Sequence, residues 1–169
     1  MAGESIRVTG TVQGVGFRPT VWRLANECGI CGQVWNDAEG VLIHAWGSDG
    51  SLAQFVRRLQ DEQPPLSHIE QIRRQPLDEP QNSPADFSIV VSKEGEVRTG
   101  VAADAATCPD CLAEVLDPDN RRYRYAFTNC THCGPRLSIV RSIPYDRANT
   151  SMAEFPMCPR CLSEYQNPA

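Results

Sequence analysis

Long apolar runs are missing from this 169-residue sequence. No stretch approaches the ~20 consecutive apolar residues that a membrane-crossing helix needs, so no such segment is expected. The opening residues, Met1-Ala-Gly-Glu-Ser5, lack a basic n-region and an apolar h-region, so no secretion signal is read and the cytoplasm is the expected address. A basic excess is missing too. The formal net charge is −5; residues 1–97 carry eight basic and thirteen acidic side chains, and residues 98–169 carry eight of each. Neither half has the positive field of a nucleic-acid binder. Any anionic ligand must then be held by a few well-placed donors, against the overall field. Large apolar residues are scarce in the second half, and so short a region does not easily hold a fold on its own core.

What the second half has instead is cysteine. All eight cysteines of the chain fall in C-x-x-C pairs: Cys28/Cys31, Cys108/Cys111, Cys130/Cys133 and Cys158/Cys161. Without a secretion signal such pairs point to metal more than to disulfides. Cys108/Cys111 and Cys130/Cys133 are separated by eighteen residues. Two such pairs complete a tetrahedral thiolate shell for Zn²⁺, and a closed shell with no open position is structural. His132 lies inside the second pair, but the four cysteines make it unnecessary as a ligand. Cys28 sits on the apolar face of an expected helix and is read as packing, with Cys31.

The second half also repeats itself. Cys108-Pro-Asp-Cys-Leu-Ala-Glu-Val-Leu-Asp-Pro118 is matched by Cys158-Pro-Arg-Cys-Leu-Ser-Glu-Tyr-Gln-Asn-Pro168 at a constant offset of 50. Cys158 and Cys161 are therefore expected to form half of a second zinc site, in a truncated module whose partner pair lies beyond Ala169. One tight zinc per chain is expected. Between the first two pairs, Arg121-Arg-Tyr-Arg-Tyr125 alternates basic and aromatic residues. A nucleic-acid stripe is one reading. The preferred one is a zinc-module strand whose arginines meet acids such as Asp117 and Asp119.

In the first half the period changes. Ser5–Gln13 alternates as a strand, and residues 19–28 show helical spacing, with Pro19 in the first turn and Gly29 as a C-cap. Residues 32–37 and 41–46 form an expected hairpin around Asp37-Ala-Glu-Gly40, where Gly40 supplies a positive φ. Ser48 caps a second helix over 50–61, with Leu52, Phe55, Val56 and Leu59 on its buried face. Ile69 and Ile72 mark a fourth strand and 87–91 a short last one. The order β-α-β-β-α-β plus a final strand predicts an α+β, ferredoxin-like sandwich over 1–92. A polar linker over 93–105 and a small zinc-binding four-cysteine domain over 106–169 are expected to follow.

Gly10-Thr-Val-Gln-Gly-Val-Gly-Phe-Arg18 falls between the first strand and the first helix. Gly14 and Gly16 let successive backbone N–H groups turn inward as an anion nest. The helix start adds its positive dipole end, and Arg18 offers a fork of donors matched to phosphate oxygens. These residues resemble the acylphosphatase signature, G-x-V-Q-G-V-x-F-R followed by G-x-V-x-N-x-x-x-G, here Gly32-Gln-Val-Trp-Asn36-Asp-Ala-Glu-Gly40. The resemblance covers about residues 4–92. It implies that the loop Gln13, Gly14, Val15, Gly16, Phe17 together with Arg18 binds a phosphoryl group, and that Asn36 orients the attacking water.

With the duplicated cysteine modules, the chain further resembles one family, the hydrogenase-maturation carbamoyltransferases called HypF. Asp104-Ala-Ala-Thr-Cys-Pro109, Asn129-Cys-Thr-His-Cys-Gly-Pro-Arg136, Pro144-Tyr-Asp-Arg147 and Met157-Cys158 are similar to that family. The resemblance implies hydrolysis of carbamoyl phosphate to carbamate and phosphate by the N-terminal part, with no cofactor for that step. It also implies later domains, absent from this sequence, that would use ATP to pass the carbamoyl group to a HypE-type acceptor protein. Two alternatives stand beside it: a general acylphosphatase with an unrelated zinc tail, and a zinc-dependent docking module for protein or nucleic acid.

Overall fold

The computed structural model describes residues 1–78, 84–92 and 100–167. Five strands form one sheet: β1 (Ala2–Thr11), β2 (Cys31–Asp37), β3 (Gly40–Gly47), β4 (His68–Pro76) and β5 (Phe87–Ile89). Their order is β4-β1-β3-β2-β5. β1 pairs antiparallel with both β3 and β4, β2 pairs antiparallel with β3, and β5 adds in parallel to β2. Two helices, α1 (Phe17–Glu27) and α2 (Asp49–Asp61), cover one face. This is the ferredoxin-like architecture that the strand and helix order predicts.

The core lies where the two periodicities face one another. Ile6 and Val8 of β1, Val34 of β2 and Val41, Ile43 and Ala45 of β3 meet Val21 and Leu24 of α1 and Leu52, Phe55 and Leu59 of α2. These side chains are completely shielded from solvent. At about 1.5–3 kcal/mol for each large apolar side chain removed from water, this cluster is the main support of the module. Ser48 caps α2 as expected, its Oγ accepting from Ser51 N–H at 3.1 Å, and the helix begins one residue earlier than predicted. Cys28 packs at the edge of the core, and Cys31 donates to the Ala85 carbonyl.

The second half has little regular structure. It consists of α3 (Pro109–Leu116), α4 (Pro159–Gln166) and two short 3-10 turns between them. The sequence repeat is a structural repeat: each helix has a cysteine at its N-cap, a proline in its first turn and eight residues. Of the expected linker, residues 93–99 lie outside the described residues. Residues 100–105 pair with both halves: Val101 bridges Gln13, Ala102 enters the sheet core, and Ala105 exchanges two backbone hydrogen bonds with Gly134. Among the described residues no helix is long and apolar enough to cross a membrane.

Candidate active site and cysteine cluster

The glycine loop runs from the end of β1 into α1. Gly14 and Gly16 have φ of 71° and 79°, a left-handed conformation that side-chain-bearing residues rarely adopt. Gly16 is the N-cap of α1, and Arg18 lies within the first turn, since the helix starts two residues earlier than expected at Pro19. The first-turn N–H groups of Phe17 and Arg18 have no acceptor within the helix, as at any helix start, and with the dipole they favour an anion. Gln13 does not line this loop passively. Its buried amide donates to the Asp37 and Gly40 carbonyls at 2.7 and 2.8 Å, fastening the loop to the β2–β3 hairpin.

That hairpin carries Asn36, which is 1 % exposed. Arg7 of β1 holds the neighbouring Asp37 at 2.5 Å and so fixes the end of β2. Arg18 and Asn36 converge on one atom. Arg18 Nη2 and Asn36 Nδ2 each donate to the Tyr145 carbonyl oxygen at 3.4 Å. The Asn36 Oδ1 is buried and accepts no hydrogen bond from any described residue. A buried acceptor without a donor costs roughly 1–3 kcal/mol, so a small donor such as water suits that position.

Tyr145 belongs to the cysteine-rich half, and that half forms the roof of the loop. Tyr145 N–H donates to Gln13 Oε1 at 2.9 Å. Asp146 accepts from Arg18 Nη2 at 2.7 Å, while Arg18 Nη1 donates to Ser92 Oγ at 3.2 Å. A methyl group placed on Gly14 meets the Tyr145 ring at 3.2 Å, and one on Gly16 meets Thr131 and His132 at 3.2 Å. The glycines therefore serve close approach by the roof as well as backbone conformation. Arg136, 6 % exposed, bolts the roof down: it donates to the carbonyls of Gly14 (2.5 Å), Pro135 (2.7 Å) and Cys130 (2.8 Å). Asp104 accepts from the Arg136 and Ser138 backbone N–H groups, which hold its carboxyl below the usual range. Sequence chemistry does not single out Arg136, Tyr145 or Asp146; they stand only inside strings resembling a family.

Cys108, Cys111, Cys130 and Cys133 bring their four sulfurs within 4.8 Å of one another. The Sγ–Sγ separations are 3.8 Å (Cys108–Cys130), 3.9 Å (Cys130–Cys133) and 3.7 Å (Cys111–Cys133). A tetrahedral ion with bonds of about 2.3 Å to sulfur requires separations of about 3.8 Å, so the set fits Zn²⁺. Backbone N–H groups of Cys111, Cys130 and His132 point at sulfurs of the same set. Burial pushes the Cys111 thiol up; around Cys133 burial is outweighed by hydrogen bonds, leaving that thiol lowered to about 7. His132 lies outside the set and rests against Gly16. Cys158 and Cys161 also lie outside it, and Cys161 Sγ is 3.5 Å from Arg121 Nη1.

The arginine-tyrosine stretch differs from expectation in form and in partners: residues 121–124 make successive turns and no strand, closed by the Tyr123 N–H to the Asn120 carbonyl and the Tyr125 N–H to the Arg122 carbonyl. Arg121 pairs with Glu164, and Arg122 with both Glu114 and Glu164, at 2.5–2.6 Å. The Asp117 carboxylate is engaged locally instead, accepting from the Asp119 N–H in the turn after α3. Glu114 and Glu164 are the same position of the two repeat copies. Arg122 therefore ties the copies together.

A glycine loop with its arginine, facing a hairpin carboxamide on this sheet, is the architecture of an acylphosphatase. The chain belongs to the acylphosphatase family, whose profile matches residues 4–89. An acylphosphatase of Staphylococcus haemolyticus is 44% identical over 69 residues, 41% of this chain and 78% of that protein. The relationship reaches further, since residues 107–140 match the HypF finger. Over its whole length the chain is similar to the N-terminal region of HypF carbamoyltransferases. The carbamoyltransferase HypF of Rhodobacter capsulatus is 52% identical over 100% of this chain and 22% of its own length. A crystal structure of full-length HypF, in a phosphate- and nucleotide-bound form, superposes with TM-score 0.94 and 44% identity over 99% of this chain and 22% of that one. The chain thus spans about a fifth of the length of the HypF proteins it matches.

Proposed function

We propose that residues 1–92 hydrolyse carbamoyl phosphate to carbamate and phosphate, as the first step of a HypF-type carbamoyltransferase. The observation that supports this most is the meeting of Arg18 and Asn36 at one point above the glycine loop. In this reading the backbone of Gln13–Phe17 and the Arg18 guanidinium take the phosphoryl oxygens. The Asn36 Oδ1, buried without a protein donor among the described residues, accepts a hydrogen bond from the attacking water. Water oxygen bonds to phosphorus, and the phosphorus–oxygen bond to the carbamoyl group breaks. Carbamate leaves with the bridging oxygen, and a water proton passes to a phosphoryl oxygen. The leaving group is already good, so positioning and charge stabilisation by arginine and amide dipoles carry the catalysis.

Zn²⁺ on Cys108, Cys111, Cys130 and Cys133 is assigned a structural role, closing the finger that roofs the site. Cys158 and Cys161 are assigned to a second site of which this sequence carries two ligands. Metal analysis of the purified chain should find about one tightly held zinc; two tight ions per chain would contradict the assignment. The carbamoyl group's later transfer to a HypE-type acceptor is assigned to the longer protein, in the cytoplasm. A nucleic-acid docking role is disfavoured, because Arg121 and Arg122 are paired with carboxylates. The decisive experiment is phosphate release from carbamoyl phosphate. The wild-type chain should turn over, and Arg18→Ala should lose about 10²-fold or more while remaining folded. Wild-type-like turnover by the variant would remove the proposal.

A further inference from the structure

The roof brings an acid to the phosphate arginine, and an acid is the wrong charge for a phosphate site. Asp146 Oδ1 lies 2.7 Å from Arg18 Nη2, with both side chains about three-quarters shielded from solvent. A carboxylate there offsets part of the guanidinium charge and repels a phosphate dianion. Such a group weakens binding of every phosphate ester alike unless part of the ligand gives something back.

The loop that presents it is firmly built. Asp146 opens a 3-10 turn and its carbonyl accepts from Asn149 N–H at 2.8 Å. The Asn149 amide donates to the Pro144 carbonyl at 2.7 Å, and Tyr145 N–H is held by Gln13. Beside the carboxylate stands the Tyr145 carbonyl, a second acceptor within 3.4 Å of Arg18. The rim of the site next to the phosphate arginine is thus lined with acceptors contributed by the finger half.

We propose that Asp146 is a specificity-determining residue, which selects a carbamoyl over an alkanoyl phosphate by accepting hydrogen bonds from the carbamoyl amino group. The inference rests on the hydrolase reading above and deepens it. An acyl group is one bridging oxygen from the phosphorus that Arg18 holds, so it lies within reach of the groups flanking the guanidinium. A carbamoyl group carries two N–H donors, and a carboxylate acceptor makes the stronger, charge-assisted kind of bond. An acetyl group presents a methyl instead, which shields the carboxylate from water and adds no donor to the one that Arg18 supplies. Sites built to hydrogen-bond a substrate reject the analogue that lacks the partner far more strongly than apolar pockets discriminate by size. In this chain the acid comes from the finger half and not from the sheet module.

The test compares kcat/KM for carbamoyl phosphate and acetyl phosphate in the purified chain, in Asp146→Ala and in the isosteric Asp146→Asn. The ratio of the two is independent of the active fraction of each preparation. Asp146→Ala should lower the carbamoyl-to-acetyl ratio about tenfold or more, with Asp146→Asn in between. An unchanged ratio in active protein, including equal acceleration of both substrates by removal of a simple plug, would overturn the proposal. If the wild-type chain hydrolyses neither substrate, the hydrolase reading itself fails and takes the proposal with it.

Discussion

At the scale of single residues, the glycine loop is governed by contacts that no local pattern announces. Arg18 and Asn36 are legible because their neighbours are adjacent in sequence: the glycines of one loop, the turn of one hairpin. Arg136, Tyr145 and Asp146 reach the same place across 122 to 132 residues, through single polar contacts without periodicity. Nothing in their flanks distinguishes them from surface groups. Arg136 gives the clearest residue-level prediction. Its guanidinium satisfies three carbonyl oxygens in a nearly dry setting. Replacing it with alanine should destabilise the chain by about 2–4 kcal/mol in urea unfolding, since buried acceptors lose charged donors. A change within about 0.5 kcal/mol would mean that the roof is held elsewhere.

At the scale of elements, strands and helices follow the two hydrophobic periods closely. Their ends drift by one to three residues: β1, expected over Ser5–Gln13, runs from Ala2 to Thr11. The last strand, expected over 87–91, pairs over Phe87–Ile89. β4 rests in sequence on only two isoleucines, and most of its residues are exposed, so its signal is thin for a physical reason. Between α1 and α2 the apolar contacts are joined by an ionic clasp. Arg58 binds Glu27 at 2.5 Å and Glu62 at 2.5 Å, and Arg23 binds both acids as well. Hydrogen bonds from Arg58 first, then Arg23, hold both carboxyls below the ordinary value of 4.5. Acids whose pKa is lowered by folding contribute stability above their unfolded pKa, and that stability is lost as pH falls through the folded one. Thermal stability should therefore hold as pH drops toward 4.5 and decline below it, with Glu62→Gln declining less steeply than wild type. Because the clasp is solvent-screened, added salt should shrink the difference. Parallel curves at low salt for variant and wild type would contradict the clasp.

At the scale of the whole molecule, two halves with different means of support meet over the glycine loop. The sheet module stands on an apolar core, whereas the second half leaves Leu116, Phe127, Leu137 and Phe155 largely exposed and gathers around four sulfurs. The family resemblance makes both halves readable, but not their embrace, since neither half's pattern refers to the other in sequence. The central claim is that Arg18 and Asn36 act on one bound phosphoryl group beneath the finger. The most direct measurement is a double-mutant cycle on phosphate release from carbamoyl phosphate, with Arg18→Ala, Asn36→Ala and both together. Groups serving one transition state are strongly non-additive, so the double variant should be scarcely slower than Arg18→Ala. Losses that multiply independently, or an Asn36→Ala variant as fast as wild type, would contradict it.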